Sequence, residues 1–145
     1  MQLNHLARTN DANILVIDYG SGNLRSVQNA LAEIGGRSLV SNNPREISQA
    51  DAIIIPGVGA GTTAMQAIRD KHLVDPIKDF ARSGRPVLGI CLGLQILMDS
   101  TTEGDTSCLG IIPGKVYHLP INVKVPHMGW NSVEFIKTHP VFKDL

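Results

Sequence analysis

Cys91 stands in the run Gly89-Ile90-Cys91-Leu92-Gly93-Leu94-Gln95, directly behind Pro86-Val87-Leu88. Glycines two residues before and two residues after a potential nucleophile leave room for a sharp turn from a strand into a helix. This is the cysteine version of the Gly-x-Ser-x-Gly elbow. The chemistry suits a thiol, because a helix amino end favours the thiolate, the nucleophilic form. Most cysteines are small buried packing residues, so the elbow by itself leaves both a nucleophile and a core thiol open. Cys108 has no such surroundings and reads as inert.

A second run, Pro56-Gly57-Val58-Gly59-Ala60-Gly61, closes another apolar stretch. In open α/β sheets the carboxyl ends of the strands are where ligands bind. Glycine-rich backbone can turn N–H groups toward a developing oxyanion. A phosphate cradle is the rival use, but the closing Gly-Lys-Ser/Thr of a P-loop is absent.

The elements that must position these runs alternate along the chain. Ile14-Leu15-Val16-Ile17 and Ala52-Ile53-Ile54-Ile55 are β-branched runs of the kind buried on both faces of a sheet. Ser38-Leu39-Val40 and Pro86-Val87-Leu88-Gly89-Ile90 complete four expected strands. Leu24, Val27, Leu31 and Ile34 recur at helical spacing before Gly35-Gly36. Further helices are expected from Thr62, over 75–82 with Asp75 as N-cap and Pro76 at the first helical position, and over 92–98. The rhythm predicts an α/β fold, an open and mostly parallel sheet with helices on both faces. After Asp99 the texture changes. A loop at 100–105 precedes a β-rich segment after residue 110, with strands expected at 115–118 and 132–135.

Composition excludes several classes of function. Thirteen basic and 13 acidic residues balance, and aromatics make up only 4% of the 145 residues. Neither a nucleic-acid footprint nor an anionic-membrane surface is present. No apolar run reaches the length of a membrane span, and residues 1–12 are a polar extension without a signal-peptide centre. Two cysteines make no disulfide framework, so a cytoplasmic setting is expected. No cofactor and no metal site is called for.

Together the elbow and the glycine loop resemble the nucleophile elbow and oxyanion strand of the class I (triad) glutamine amidotransferases. Three further stretches narrow the resemblance. They are Asp18-Tyr19-Gly20-Ser21-Gly22-Asn23-Leu24, Leu109-Gly110-Ile111-Ile112-Pro113-Gly114-Lys115-Val116 and Val125-Pro126-His127-Met128-Gly129-Trp130-Asn131. They are similar to the branch formed by the amidotransferase subunits of imidazole glycerol phosphate synthases, in histidine biosynthesis. The match makes 13–145 one partial amidotransferase domain of flavodoxin-like core.

The resemblance implies that Cys91 attacks the side-chain amide carbon of glutamine. It assigns the oxyanion to backbone N–H groups of Val58 or Gly59 and of Leu92. It puts Gly57, Gln95 and Glu103 against the bound glutamine. It further implies transfer of ammonia to a (β/α)₈-barrel cyclase subunit in a heterodimer, with Asn23, Trp130 and Asn131 near that partner. It makes His127 structural. Read without the resemblance, Glu103 is an ordinary solvated loop residue and Trp130 a core anchor.

One expected feature is missing. The family's catalytic histidine and glutamate belong to a His-Pro-Glu run, and none of the five histidines here is followed by Pro-Glu. Two expectations follow from this: an enzyme subunit seen without its C-terminal part, or a partner-binding module that has lost turnover.

Overall fold

The computed structural model describes residues 12–120, 122, 124–125 and 129–138. Strands β1 (Ile14–Ile17), β2 (Ser38–Ser41), β3 (Ala52–Gly57) and β4 (Val87–Cys91) form one sheet in the order β2-β1-β3-β4, with every pairing parallel. They are joined by α1 (Leu24–Glu33), α2 (Pro44–Gln49), and the pair α3 (Gly61–Asp70) and α4 (Val74–Arg82). A one-turn helix, α5 (Leu92–Gln95), leaves the end of β4.

The register puts Leu15 beside Ile53. By alternation Leu15, Ile17, Ile53 and Ile55 share one face of the sheet. They pack with Ile47 of α2, Met65 and Ile68 of α3, and Ile77 and Phe80 of α4 into a single core cluster. Each such side chain contributes roughly 1.5–3 kcal/mol by leaving water. The opposite face carries Val16 and Ile54, both buried. Right-handed crossovers put α1 on that side, since the chain steps outward to β2 and then back across β1. Consistent with this, no α1 residue joins the core cluster. On the outer strand the same face is open: Leu88 is 54% exposed and Ile90 39%.

Strands β5 (Ser100–Thr101), β6 (Thr106–Ser107) and β7 (Lys115–Val116) make a second, small sheet in the order β6-β5-β7. Thr62 Oγ1 and Thr106 Oγ1, 2.8 Å apart, fasten this sheet to α3.

Several expectations need correction. Helix α4 starts at Val74, so Asp75 is in its first turn and is not the N-cap. The reason is His72, at φ 56, which turns the chain so that the buried Leu73 leads straight into the helix. Pro76 is still harmless there, because first-turn N–H groups have no partner within the helix. Helix α5 ends at Gln95, three residues short of the expected 98. The carbonyls of Ile96, Leu97 and Met98 accept instead from the N–H groups of residues 109–112, which ends the helix. The strand expected at 115–118 stops at Val116, and His118 N–H donates to Thr102 Oγ1 at 3.0 Å. No strand forms at 132–135, where every residue is exposed. The β-rich texture after residue 110 therefore reduces to β7, pairing with strands that begin at Ser100. Helix α2 was not expected. Its signal was Asn43-Pro44, an N-cap followed by proline, and the Asn43 side chain accepts from Arg45 N–H at 3.0 Å. Residues 1–11, His127 and His139 lie outside the described residues.

Candidate active site

Because β1, β3 and β4 are parallel, their carboxyl ends meet on one edge, and three runs from distant parts of the sequence come together there. The register pairs Gly57 with Cys91. Cys91 ends β4 at φ 56 and ψ −117, a conformation that side-chain-bearing residues rarely adopt, and its thiol is exposed. Strain of this kind costs about 1–3 kcal/mol and persists only where the surroundings impose it. Here the close packing of α5 on β3 and β4 imposes it, and the flanking glycines permit that packing. A Cβ on Gly89 would lie 2.6 Å from Leu94 Cα, and one on Gly93 would overlap the Ile55 carbonyl oxygen. The helix can fold back onto β3 and β4 only because both side chains are absent.

The facing loop follows β3. Val58 is 59% exposed, and Gly59, at φ +92, has open space where a Cβ would stand. Ala60 gives α3 no side-chain cap. That place is taken by Glu103, whose Oε2 accepts from Gly61 N–H at a long 3.5 Å. The Glu103 carboxylate therefore sits at the amino end of α3, next to the glycine loop, and is not merely solvated. Gln95 is half-buried at the end of α5, one turn from Cys91, and Leu92 is buried at its start.

The turn after β1 packs against this loop. Gly20 N–H donates to Asp18 Oδ1 at 3.0 Å, closing the turn. Ser21 Oγ donates to the Val58 carbonyl at 2.8 Å, and Tyr19 Oη donates to the Pro56 carbonyl at 2.8 Å. Tyr19 is fully buried. Burial pushes its phenol above the ordinary 10.0; the Ser21 hydrogen bond opposes that rise, and charge on Cys91 adds to it. The phenol thus lies within electrostatic reach of the thiol. Tyr19 was missed by sequence reasoning as a site residue. The one available signal was that a tyrosine closing a buried strand must find its hydroxyl a partner.

The structure brings Cys91, Gly57, Val58, Leu92 and Glu103 to one edge. Asn23 is exposed and caps α1, accepting from Ser26 N–H at 3.2 Å. Trp130 and Asn131 lie in an exposed stretch without secondary structure, and Trp130 is fully exposed, so it is not a core anchor. Cys108 is half-buried beside the core, and burial raises its thiol above the ordinary 9.0 while Arg69 opposes the rise. Among the described residues no cluster of three or more His, Cys, Asp or Glu could hold a metal ion.

An open parallel sheet whose strained, exposed cysteine elbow faces a glycine loop defines an α/β protein of the parallel-sheet class. The chain belongs to the class-I glutamine amidotransferase family, whose profile matches residues 15–145. The imidazole glycerol phosphate synthase subunit HisH of Methanosarcina acetivorans is 50% identical over 134 residues, covering 91% of this chain and 65% of that relative. The HisH subunit of Sulfurimonas denitrificans is 45% identical over 138 residues, covering 91% of this chain and 66% of the relative. The chain thus spans a little under two thirds of the length of these curated relatives. A crystal structure of a glutamine amidotransferase superposes with a TM-score of 0.66 at 21% identity, over 77% of this chain and 59% of that one. A putative peptidase E from Listeria monocytogenes gives a TM-score of 0.61 at 11% identity, over 73% of this chain and 65% of that one. At these identities the two structures speak for the fold alone.

Proposed function

We propose that this chain carries the glutamine-hydrolysing site of an imidazole glycerol phosphate synthase. The observation that carries the reading is the strained, exposed Cys91 paired in register with Gly57 at the carboxyl edge of the sheet. The identity to HisH subunits narrows it to this branch of the family. Cys91 Sγ bonds to the side-chain amide carbon of glutamine, and the carbonyl electron pair moves onto oxygen. N–H groups of Val58 or Gly59 and of Leu92 receive that oxyanion. The oxyanion's electron pair then returns to carbon as the C–N bond breaks, the proton given up by the thiol reaches the nitrogen, ammonia leaves, and water releases glutamate from the thioester. Gly57, Gln95 and Glu103 line the glutamine side of the site. Ammonia passes to a barrel-shaped cyclase partner, which docks near Asn23, Trp130 and Asn131. The exposure of Asn23 and Trp130 supports that surface. The setting is cytoplasmic; among the described residues no helix is long and apolar enough to cross a membrane.

Acid–base chemistry at the thiol belongs, by the family resemblance, to a His-Pro-Glu run that these 145 residues do not contain. A polypeptide of residues 1–145 therefore captures glutamine analogues at Cys91 but does not turn glutamine over, since a positioned acid–base group is worth typically 10²–10⁴-fold. The test is labelling with the diazo-ketone analogue of glutamine, peptide mapping, and an assay for glutamate release with the barrel subunit present. Adduct on Cys108 with Cys91 untouched overturns the nucleophile assignment. Glutamate release that disappears in Cys91→Ala overturns the claim of no turnover. Trp130→Ala is expected to weaken partner binding by about 2 kcal/mol without lowering the melting temperature. Calorimetric titration beside thermal melts checks both halves.

A further inference from the structure

The Pro56–Gly59 segment is held from below by two hydroxyls of the first turn. Tyr19 Oη, fully buried, donates to the Pro56 carbonyl at 2.8 Å, and Ser21 Oγ donates to the Val58 carbonyl at 2.8 Å. Peptide groups are planar, with N–H opposite to C=O. Pinning the Pro56 oxygen therefore fixes the Gly57 N–H, and pinning the Val58 oxygen fixes the Gly59 N–H. The Gly57–Val58 peptide lies between two held neighbours. The phenol also fills the space beneath Gly57, where an added Cβ would come 2.5 Å from Tyr19 Oη. Gly57 is itself the register partner of Cys91. The turn is closely seated, since a Cβ on Gly22 would stand 3.2 Å from the Pro56 carbonyl carbon and oxygen.

We propose that Tyr19 is a positioning residue: its buried phenol, assisted by Ser21, holds the glycine loop in the orientation that receives the oxyanion opposite Cys91. The proposal rests on the glutaminase reading for its chemistry but not for its geometry. Tyr19 touches no substrate and acts through the loop backbone.

The experiment compares wild type, Tyr19→Phe and Ser21→Ala by hydrogen exchange, with two reagents for Cys91. The diazo-ketone analogue of glutamine carries a carbonyl for the loop to bind, whereas iodoacetamide alkylates the thiol without needing the loop. In Tyr19→Phe, amide exchange of residues 57–61 is expected to rise while β1 and the inner part of β3 stay protected. Diazo-ketone labelling slows about tenfold, less than the 10²–10³ typical for removing an oxyanion donor outright, and iodoacetamide labelling changes less than about twofold. A merely structural tyrosine would raise exchange throughout the core and shift both reagents together, and that outcome overturns the proposal. Loop exchange equal to wild type also overturns it. Should Tyr19→Phe fail to fold, Ser21→Ala, at an exposed hydrogen bond, carries the same expectation for residues 58 and 59, and no change there overturns it. A wild type labelled by iodoacetamide but not by the diazo-ketone defeats the glutaminase reading, while the exchange results still decide whether Tyr19 holds the loop.

Discussion

Cys91 ends an edge strand with its thiol open to solvent and its backbone at φ 56 and ψ −117. Cys108, just after β6, is half-buried against the core, and its thiol makes a long 3.7 Å contact with the Thr106 carbonyl. Burial raises the Cys108 thiol above 9.0, which keeps it protonated at neutral pH. The two regions differ in what surrounds the sulfur. At Cys91, the glycines at 89 and 93 carry no side chains and the register partner is Gly57, and the thiol stands open. At Cys108 the surrounding groups fill the space. The two sulfurs are told apart by the geometry of their neighbours, not by residue type.

The most severe test of the contrast is Cys91→Ala. It is expected to abolish diazo-ketone adduct formation, whereas Cys108→Ala keeps it; intact-mass measurement of both variants checks this. Adduct persisting in Cys91→Ala would erase the distinction. Next comes Val58→Pro, which removes one candidate N–H donor. Labelling of Cys91 should slow by about 10²–10³ with iodoacetamide reactivity retained, and an unchanged rate in a folded variant would move the oxyanion site elsewhere.

Gly93→Ala addresses the elbow itself. Its Cβ would overlap the Ile55 carbonyl oxygen, which belongs to backbone and cannot swing aside. Overpacking costs typically about 1–3 kcal/mol, so the denaturation midpoint should fall. The loss should exceed that of Cys108→Ala, and equal losses would mean the elbow is less tightly built than its contacts imply.

The smallest effect is at high pH. A phenol whose folded pKa exceeds its unfolded 10.0 binds its proton more tightly in the folded state. That contribution is complete below pH 10.0 and is lost as pH rises through the raised folded value. The Cys108 thiol behaves alike from its unfolded 9.0 upward. Alkaline melts of wild type should therefore lose stability over this range, and Tyr19→Phe should lose less. Identical slopes would show that Tyr19 ionises as it does in the unfolded chain.

The strands at 14–17 and 52–55 were legible because short runs of branched apolar residues suit a strand buried on both faces of a sheet, whereas the strand expected at 86–90 forms one residue later, at 87–91, with Leu88 and Ile90 exposed. Helix α5 was overextended because Ile96 and Leu97 continue its apolar pattern, yet their carbonyls are taken by residues 109–112. Val133 and Phe135 alternate as a strand would, but alternation makes a strand only where the segment joins a sheet, and neither described sheet includes 132–135. The roles of Tyr19 and Glu103 were illegible as contacts. Their partners, Pro56 and Gly61, lie 37 and 42 residues away.

The sequence by itself determined the elbow, because strand, sharp turn and helix depend on a few adjacent backbone conformations and on glycine at two of them. It also determined the parallel α/β order, since each apolar run is followed by a helical one. Only the tertiary structure decided that Gly57 faces Cys91, that Tyr19 lies beneath that pair, and that Glu103 caps the helix beside them. Those are matters of register between strands and of packing between distant segments. They are set by burying both faces of the sheet at once, and no local preference of the chain encodes them.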